Sequence, residues 1–123
     1  MFDIQAVADS VLLTISLSGG LTKEVILGAV REHYPRFQGP LILWDLSRAD
    51  LSAVTRLDFS EIARTSRELR SGAGYGKTAY VATDRSTYAR LCLYMNEAVA
   101  MHVPAEYCVF RTIEEARSWL SRS

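Results

Sequence analysis

The chain has 123 residues, 14 basic against 14 acidic, 49% of them hydrophobic, with 7 Gly, 3 Pro and 2 Cys. That length and apolar content exclude disorder and give one domain, expected over residues 1–123, with a core of its own. A formal charge of zero argues against a nucleic-acid partner, two cysteines against a disulfide framework, and the short apolar runs against a membrane span. Met1-Phe2-Asp3 lacks the basic start of a secretory signal, so the chain is expected in the cytoplasm.

The hydrophobic period switches repeatedly along the chain. Phe2, Ile4 and Ala6 alternate with Asp3 and Gln5, which predicts a strand with one wet face. After the turn residues Ala8-Asp9-Ser10, Leu13, Ile15 and Leu17 alternate with Thr14, Ser16 and Ser18. Two such runs so close together predict an antiparallel hairpin. Thr22 reads as the N-cap of a helix carrying Val25, Ile26, Ala29, Val30 and His33, closed by Pro35 and Gly39-Pro40. Leu41-Ile42-Leu43-Trp44, ending in Asp45, is apolar without a break, as in parallel strands covered on both faces.

Asp58 and Glu61 have capping-box spacing ahead of a second helix, with Phe59, Ile62, Ala63, Ser66 and Leu69 on one face. Residues 78–82 predict the next strand. Asp84 or Ser86 then caps a third helix, with a stripe of Tyr88, Leu91, Cys92, Met95 and Val99. Leu93, Tyr94 and Met101 make that helix apolar on other faces too, so it is buried or packs on another molecule. Tyr107-Cys108-Val109-Phe110 is the last strand. Thr112 and Glu115 box the start of a final helix carrying Ile113, Ala116, Trp119 and Leu120. The order β-β-α-β-α-β-α-β-α predicts an α/β fold. It comprises a mostly parallel mixed sheet of about five strands, an N-terminal antiparallel hairpin and about four flanking helices.

Catalytic and cofactor motifs do not hold up. The stretch from Ser71 to Thr78 nearly spells a phosphate-binding loop, but Ser71 stands where its first Gly belongs and a strand follows instead of a helix. His33 and His102 have no partner at metal-ligand spacing, and Cys92 and Cys108 sit in apolar patterns. Glu114-Glu115 belongs to a helix start. No catalytic residue, metal or cofactor is expected, and the chain is read as a non-enzyme. Eight of the basic residues fall within residues 48–90: Arg48, Arg56, Arg64, Arg67, Arg70, Lys77, Arg85 and Arg90. They form either a solvated helix face or a surface for an anionic partner.

The chemistry-bearing stretch is the one after the third strand. Asp45 leaves the strand, and Ser47, Ser52, Thr55 and Ser60 follow at the carboxyl end of a parallel sheet, where contacts gather in such folds. These hydroxyls read either as a phosphorylatable or ligand-gripping loop, or as a loop satisfying its own backbone donors.

The element order, the WDLSRADLS stretch at 44–52, the AYVAT strand at 79–83 and the closing VFRTIEEARSWL at 109–120 together resemble the SpoIIAA-like, or STAS-like, family of small bacterial proteins. The resemblance covers nearly the whole chain. It implies a four- or five-stranded mixed sheet and, for the family's anti-sigma-factor antagonists, a serine at the start of the second helix that a partner kinase phosphorylates. Asp45-Leu46-Ser47 fits the family's strand end. The nearest counterpart of the Asp-Ser-Ser/Thr-Gly motif is Asp58-Phe59-Ser60-Glu61, with Phe59 at the phosphoserine position and no Gly.

The expected function is therefore a regulatory module that acts by protein–protein contact near residues 45–60, with Asp45, Ser47, Ser52 and Ser60 as contact or regulatory residues. The third helix offers a docking or homodimer surface. The alternative, motivated by more aromatic and Met side chains on the helices than a small sheet would fully cover, is a small hydrophobic or lipid-like ligand held between sheet and helices by Phe59, Ile62, Tyr88, Leu91 and Met95.

Overall fold

A computed structural model describes residues 2–70, 76–101 and 105–122. Strands β1 (Phe2–Ala8), β2 (Leu12–Gly20), β3 (Leu41–Asp50), β4 (Gly76–Val81) and β5 (Ala105–Phe110) form one sheet in the order β1-β2-β3-β4-β5. β1 is antiparallel to β2, and every other neighbouring pair is parallel. The helices are α1 (Lys23–His33), α2 (Arg56–Arg70), α3 (Arg85–Ala100) and α4 (Ile113–Leu120), with a short 3-10 turn at Tyr34–Arg36. The expected fold class and element order are those observed. The loop at residues 71–75, His102 and Pro104 lie outside the described residues.

The sheet is buried unequally on its two faces. On the first face Leu13, Ile15 and Leu17 of β2 meet Ile42, Trp44 and Leu46 of β3, Tyr80 of β4 and Val109 of β5, all under α1, α2 and α3. On the second face the smaller α4 presses Ala116 and Leu120 onto Leu43, Ala79 and Val81. Strand alternation makes both cores, because successive side chains point to opposite faces. β3 carries apolar residues on both and hence reads as an unbroken apolar run.

β3 runs on to Asp50, so the strand does not end at Asp45 as its pattern suggested. Ser16 pairs with Asp45 and Ser18 with Arg48, so β3 spends three residues where β2 spends two. This bulge resets the alternation: Ala49 packs on the main core, while Asp45, Ser47 and Arg48 all lie on the second face. The Asp45 carboxylate holds the bulge by accepting from the Ser47 N–H (3.1 Å) and hydroxyl (2.7 Å).

Several basic side chains expected on a solvated face are structural instead. Arg70, at the end of α2, is buried, and its guanidinium donates to the carbonyls of Phe37 and Gly39, both at 2.9 Å. It also lies over the rings of Tyr34 and Phe37. Gly39 has to be glycine there, since a Cβ would stand 2.7 Å from the Ser10 carbonyl and 2.8 Å from that of Val11. Lys77, the lysine of the phosphate-loop lookalike, donates to the carbonyls of Trp119 and Arg122 and so fastens the end of α4. Arg67 bonds the Met101 carbonyl and Arg90 that of Val54.

Replacing Arg70 by Ala leaves two carbonyls without their donor and opens a gap between two rings, at an expected cost of about 3 kcal/mol. Urea unfolding measures it, and a loss below about 0.5 kcal/mol, the range of an ordinary surface change, contradicts the clamp.

Candidate functional site

The turn from β3 into α2 is built by paired side-chain caps. Asp50 accepts from the Ser52 N–H at 2.9 Å, and that bond, with one from the Ser52 side chain, holds the Asp50 carboxyl below the usual carboxylate range. Thr55 is the true cap of α2: its hydroxyl accepts from the Asp58 N–H (3.1 Å), and the Asp58 carboxylate accepts from the Thr55 N–H (2.9 Å). The capping box therefore lies one turn earlier than the Asp58–Glu61 spacing suggested. Glu61 instead pairs with Lys23 of α1 at 3.3 Å.

Beyond this cap, α2 is joined to α3 through Glu97. Its carboxylate accepts from the Ser60 hydroxyl (2.9 Å) and from Arg56 Nε (3.2 Å), and these bonds, Ser60 first, lower its pKa. Leu57, in the first turn of α2, is 82% exposed. On α3, Leu93 is 51% exposed and sits on the helix face between Arg90 and Glu97, which both reach across to α2 or its approach. Leu57 follows Arg56 on α2 and Leu93 lies between Arg90 and Glu97 on α3, so each exposed apolar side chain stands beside charged residues of the α2–α3 contact.

The four residues singled out from the sequence do not come together. Asp45 and Ser47 face the second side of the sheet, Ser52 lies exposed in the turn, and Ser60 sits half-buried between α2 and α3. Ser47, Ser52 and Ser60 all have hydroxyls engaged by carboxylates, those of Asp45, Asp50 and Glu97. Phe59, at the position matching the family's phosphoserine, is buried in the main core. Leu57, Arg56, Glu97 and the Thr55 cap were missed. Leu57 had a signal: it shares the polar face of α2 with Glu61, Arg64 and Glu68, where an apolar side chain has nothing to bury against.

The space proposed for a hydrophobic ligand is filled. Phe59 packs tilted against Tyr94 with ring centroids 5.7 Å apart, Tyr94 packs edge-on against Tyr80 at 5.6 Å, and Ile62 and Leu91 are buried beside them. The remaining apolar cavity is about 30 Å³, the size of one water and far below what a lipid needs. Tyr88 and Met95 are only half-buried; Tyr88 instead carries the Arg111 guanidinium over its ring at 4.5 Å. Burial pushes the Tyr80 and Tyr94 phenols up, so both stay neutral. The stripe of α3 that faces the core is Thr87, Leu91, Tyr94 and Ala98, while Val99 points to solvent.

A larger recess of about 380 Å³ lies on the second face beside the start of α4, whose Ile113 lines one side. Two cross-strand rows line it, Asp3–Ser18–Arg48 and Gln5–Ser16–Asp45, with Ser47 at the bulge. Among the described residues, no group of three or more His, Cys, Asp or Glu is placed to hold a metal ion. Among them, too, no helix is long and apolar enough to cross a membrane.

No family model and no curated protein matches the chain. Solved structures do. An anti-sigma factor antagonist from Mycobacterium paratuberculosis superposes with a TM-score of 0.63 at 15% identity, covering 99% of this chain and 96% of that one. The anti-sigma factor antagonist SpoIIAA in its unphosphorylated form superposes with a TM-score of 0.55 at 17% identity, covering 97% of this chain and 96% of that one. The fold is the SpoIIAA-like, or STAS, fold of anti-sigma factor antagonists.

Because hydrogen bonds lower the pKa of Glu97 in the folded chain, the unfolded chain binds its proton more readily. The stability Glu97 contributes is therefore present above its ordinary value of 4.5 and is lost as the pH falls through the depressed one. Urea midpoints measured from pH 6 down to about pH 3 should fall less steeply in Glu97→Gln than in the parent chain; parallel curves contradict the bridge. Thr55→Ala should cost about 1 kcal/mol by the same assay, through loss of the cap.

Proposed function

We propose that the chain is a non-enzymatic regulatory module that works by binding a protein partner, as an anti-sigma factor antagonist binds the factor it counters. The observation that carries this reading is the superposition on two such antagonists over nearly the full length of all three chains. The contact surface is the β3–α2 turn with the start of α2 and the facing side of α3, centred on Leu57 and Leu93. Two exposed apolar side chains, each beside charged residues, have the make-up of a small protein-binding patch, in which a few buried anchors carry most of the affinity.

Asp45 and Ser47 act by shaping the strand end that leads into this turn. Ser60 acts by setting the distance between α2 and α3 through Glu97. Ser52 is the regulatory hydroxyl: it is exposed and precedes α2, and both its N–H and its side chain are tied to Asp50. A phosphate there would confront the Asp50 carboxylate, break that turn and alter the approach to Leu57.

The test is affinity capture on the immobilised chain from cells that encode it, followed by titration calorimetry with the purified partner. Leu57→Asp should weaken binding at least about tenfold, equivalent to about 1.4 kcal/mol, with an unchanged circular dichroism spectrum. Ser52→Asp should shift affinity and Ser52→Ala should not. A partner bound equally by the parent chain and Leu57→Asp overturns this surface, and retention of no protein at all overturns the binding reading.

A further inference from the structure

Six large hydrophobic side chains are exposed among the described residues: Phe2, Val7, Val11, Leu57, Leu93 and Val99. The last three lie on α2 and α3. Phe2 and Val7 belong to β1, Val11 follows in the hairpin turn, and Val7 is 73% exposed.

Among the described residues β1 is the outermost strand of the sheet, and one of its two edges has no neighbouring strand. Unpaired strand edges invite another strand, and proteins usually blunt them with Lys, Pro, a bulge or a very short strand. β1 has none of these. It is seven residues long, FDIQAVA, with an unbroken register against β2 from Phe2↔Gly19 to Ala8↔Leu13. Its sole charge is Asp3.

We propose that the free edge of β1 pairs with β1 of a second copy, antiparallel about a two-fold axis through Gln5, joining the two sheets into one. The sequence of β1 is self-complementary in this register. Phe2 falls opposite the second copy's Ala8, Asp3 opposite its Val7, Ile4 opposite its Ala6, and Gln5 opposite Gln5. No charge meets a like charge. The faces also match: Ile4 and Ala6, already packed against the main core, meet their counterparts on the helix-covered side, and the bulky Phe2 covers the small Ala8. Asp3, Gln5 and Val7 stay together on the polar side. A second copy is the favoured occupant because β1 against β1 closes a dimer in one step, whereas β1 against the opposite sheet edge would propagate an open fibre. An edge contact of seven residues a side is small, so the dimer should dissociate at roughly 10–100 µM.

The axis residue supplies the test. Gln5 is exposed, so Gln5→Lys and Gln5→Glu should fold as the parent does, checked by circular dichroism. In each variant two like charges face each other across the axis. Sedimentation equilibrium from about 1 µM to about 1 mM should show a reversible dimer for the parent chain, monomer for each variant, and dimer again for their equimolar mixture. Leu57→Asp should dimerise like the parent, which separates this edge from the partner-binding surface. A parent chain that stays monomeric, single variants that dimerise as well as the parent, or a mixture that stays monomeric each overturns the proposal.

Discussion

The architecture depends on the direction in which the chain winds. From β2 to β5 each strand lies beside its predecessor and parallel to it, so each needs a crossover helix and every crossover moves the same way across the sheet. Crossovers of one hand moving one way deposit their helices on one face. α1, α2 and α3 accordingly share the first face, and the second is left to α4, an eight-residue helix that covers only the β3–β5 side. The remainder of that face, on β1, β2 and the bulged end of β3, has to be wet. Its Asp, Gln, Ser and Arg side chains are the chemical consequence.

Within that frame, cations act as fasteners. Arg70 is the deepest of them, and its setting explains how a guanidinium is buried without a carboxylate. Two backbone carbonyls accept its hydrogen bonds, and two aromatic rings flank it. Burial pulls its pKa down from the ordinary arginine value. Arg70 thus ties the last turn of α2 to the segment that leads into β3. Lys77 at α4 and Arg90 at the α2 approach repeat the device. A basic stretch that could have met an anionic partner is thus partly spent on carbonyls of the same chain.

The aromatic layer of Phe59, Tyr94 and Tyr80 between sheet and helices fills the space that a carried ligand would need. Exposed apolar area gathers instead in two places on the outside, the α2–α3 side and the β1 edge. The proposed partner surface and the proposed dimer edge therefore lie on different elements.

What the sequence determined by itself was local. Strand and helix order followed from the period of the apolar residues, and the caps at Thr22, Asp84 and Thr112 from side chains that bond backbone three residues on. Long-range placement was not legible. Periodicity says that a strand alternates, not which helix lies over which side, so nothing in 45–60 revealed that Asp45 and Ser47 face away from Ser60. The bulge in β3 needs the register of β2 to be seen, and the same pattern read alone stops at Asp45. The cap of α2 was ambiguous because Thr55, Asp58 and Glu61 offer two overlapping boxes. The packing decided it, since Glu61 is drawn to Lys23 and Phe59 into the core. Arg70 looked like one more surface cation, and only the tertiary fold brought two carbonyls and two rings around it. Contacts within four residues are written in the chain, whereas those that join residues thirty or more apart exist only once the sheet has set the helices in place.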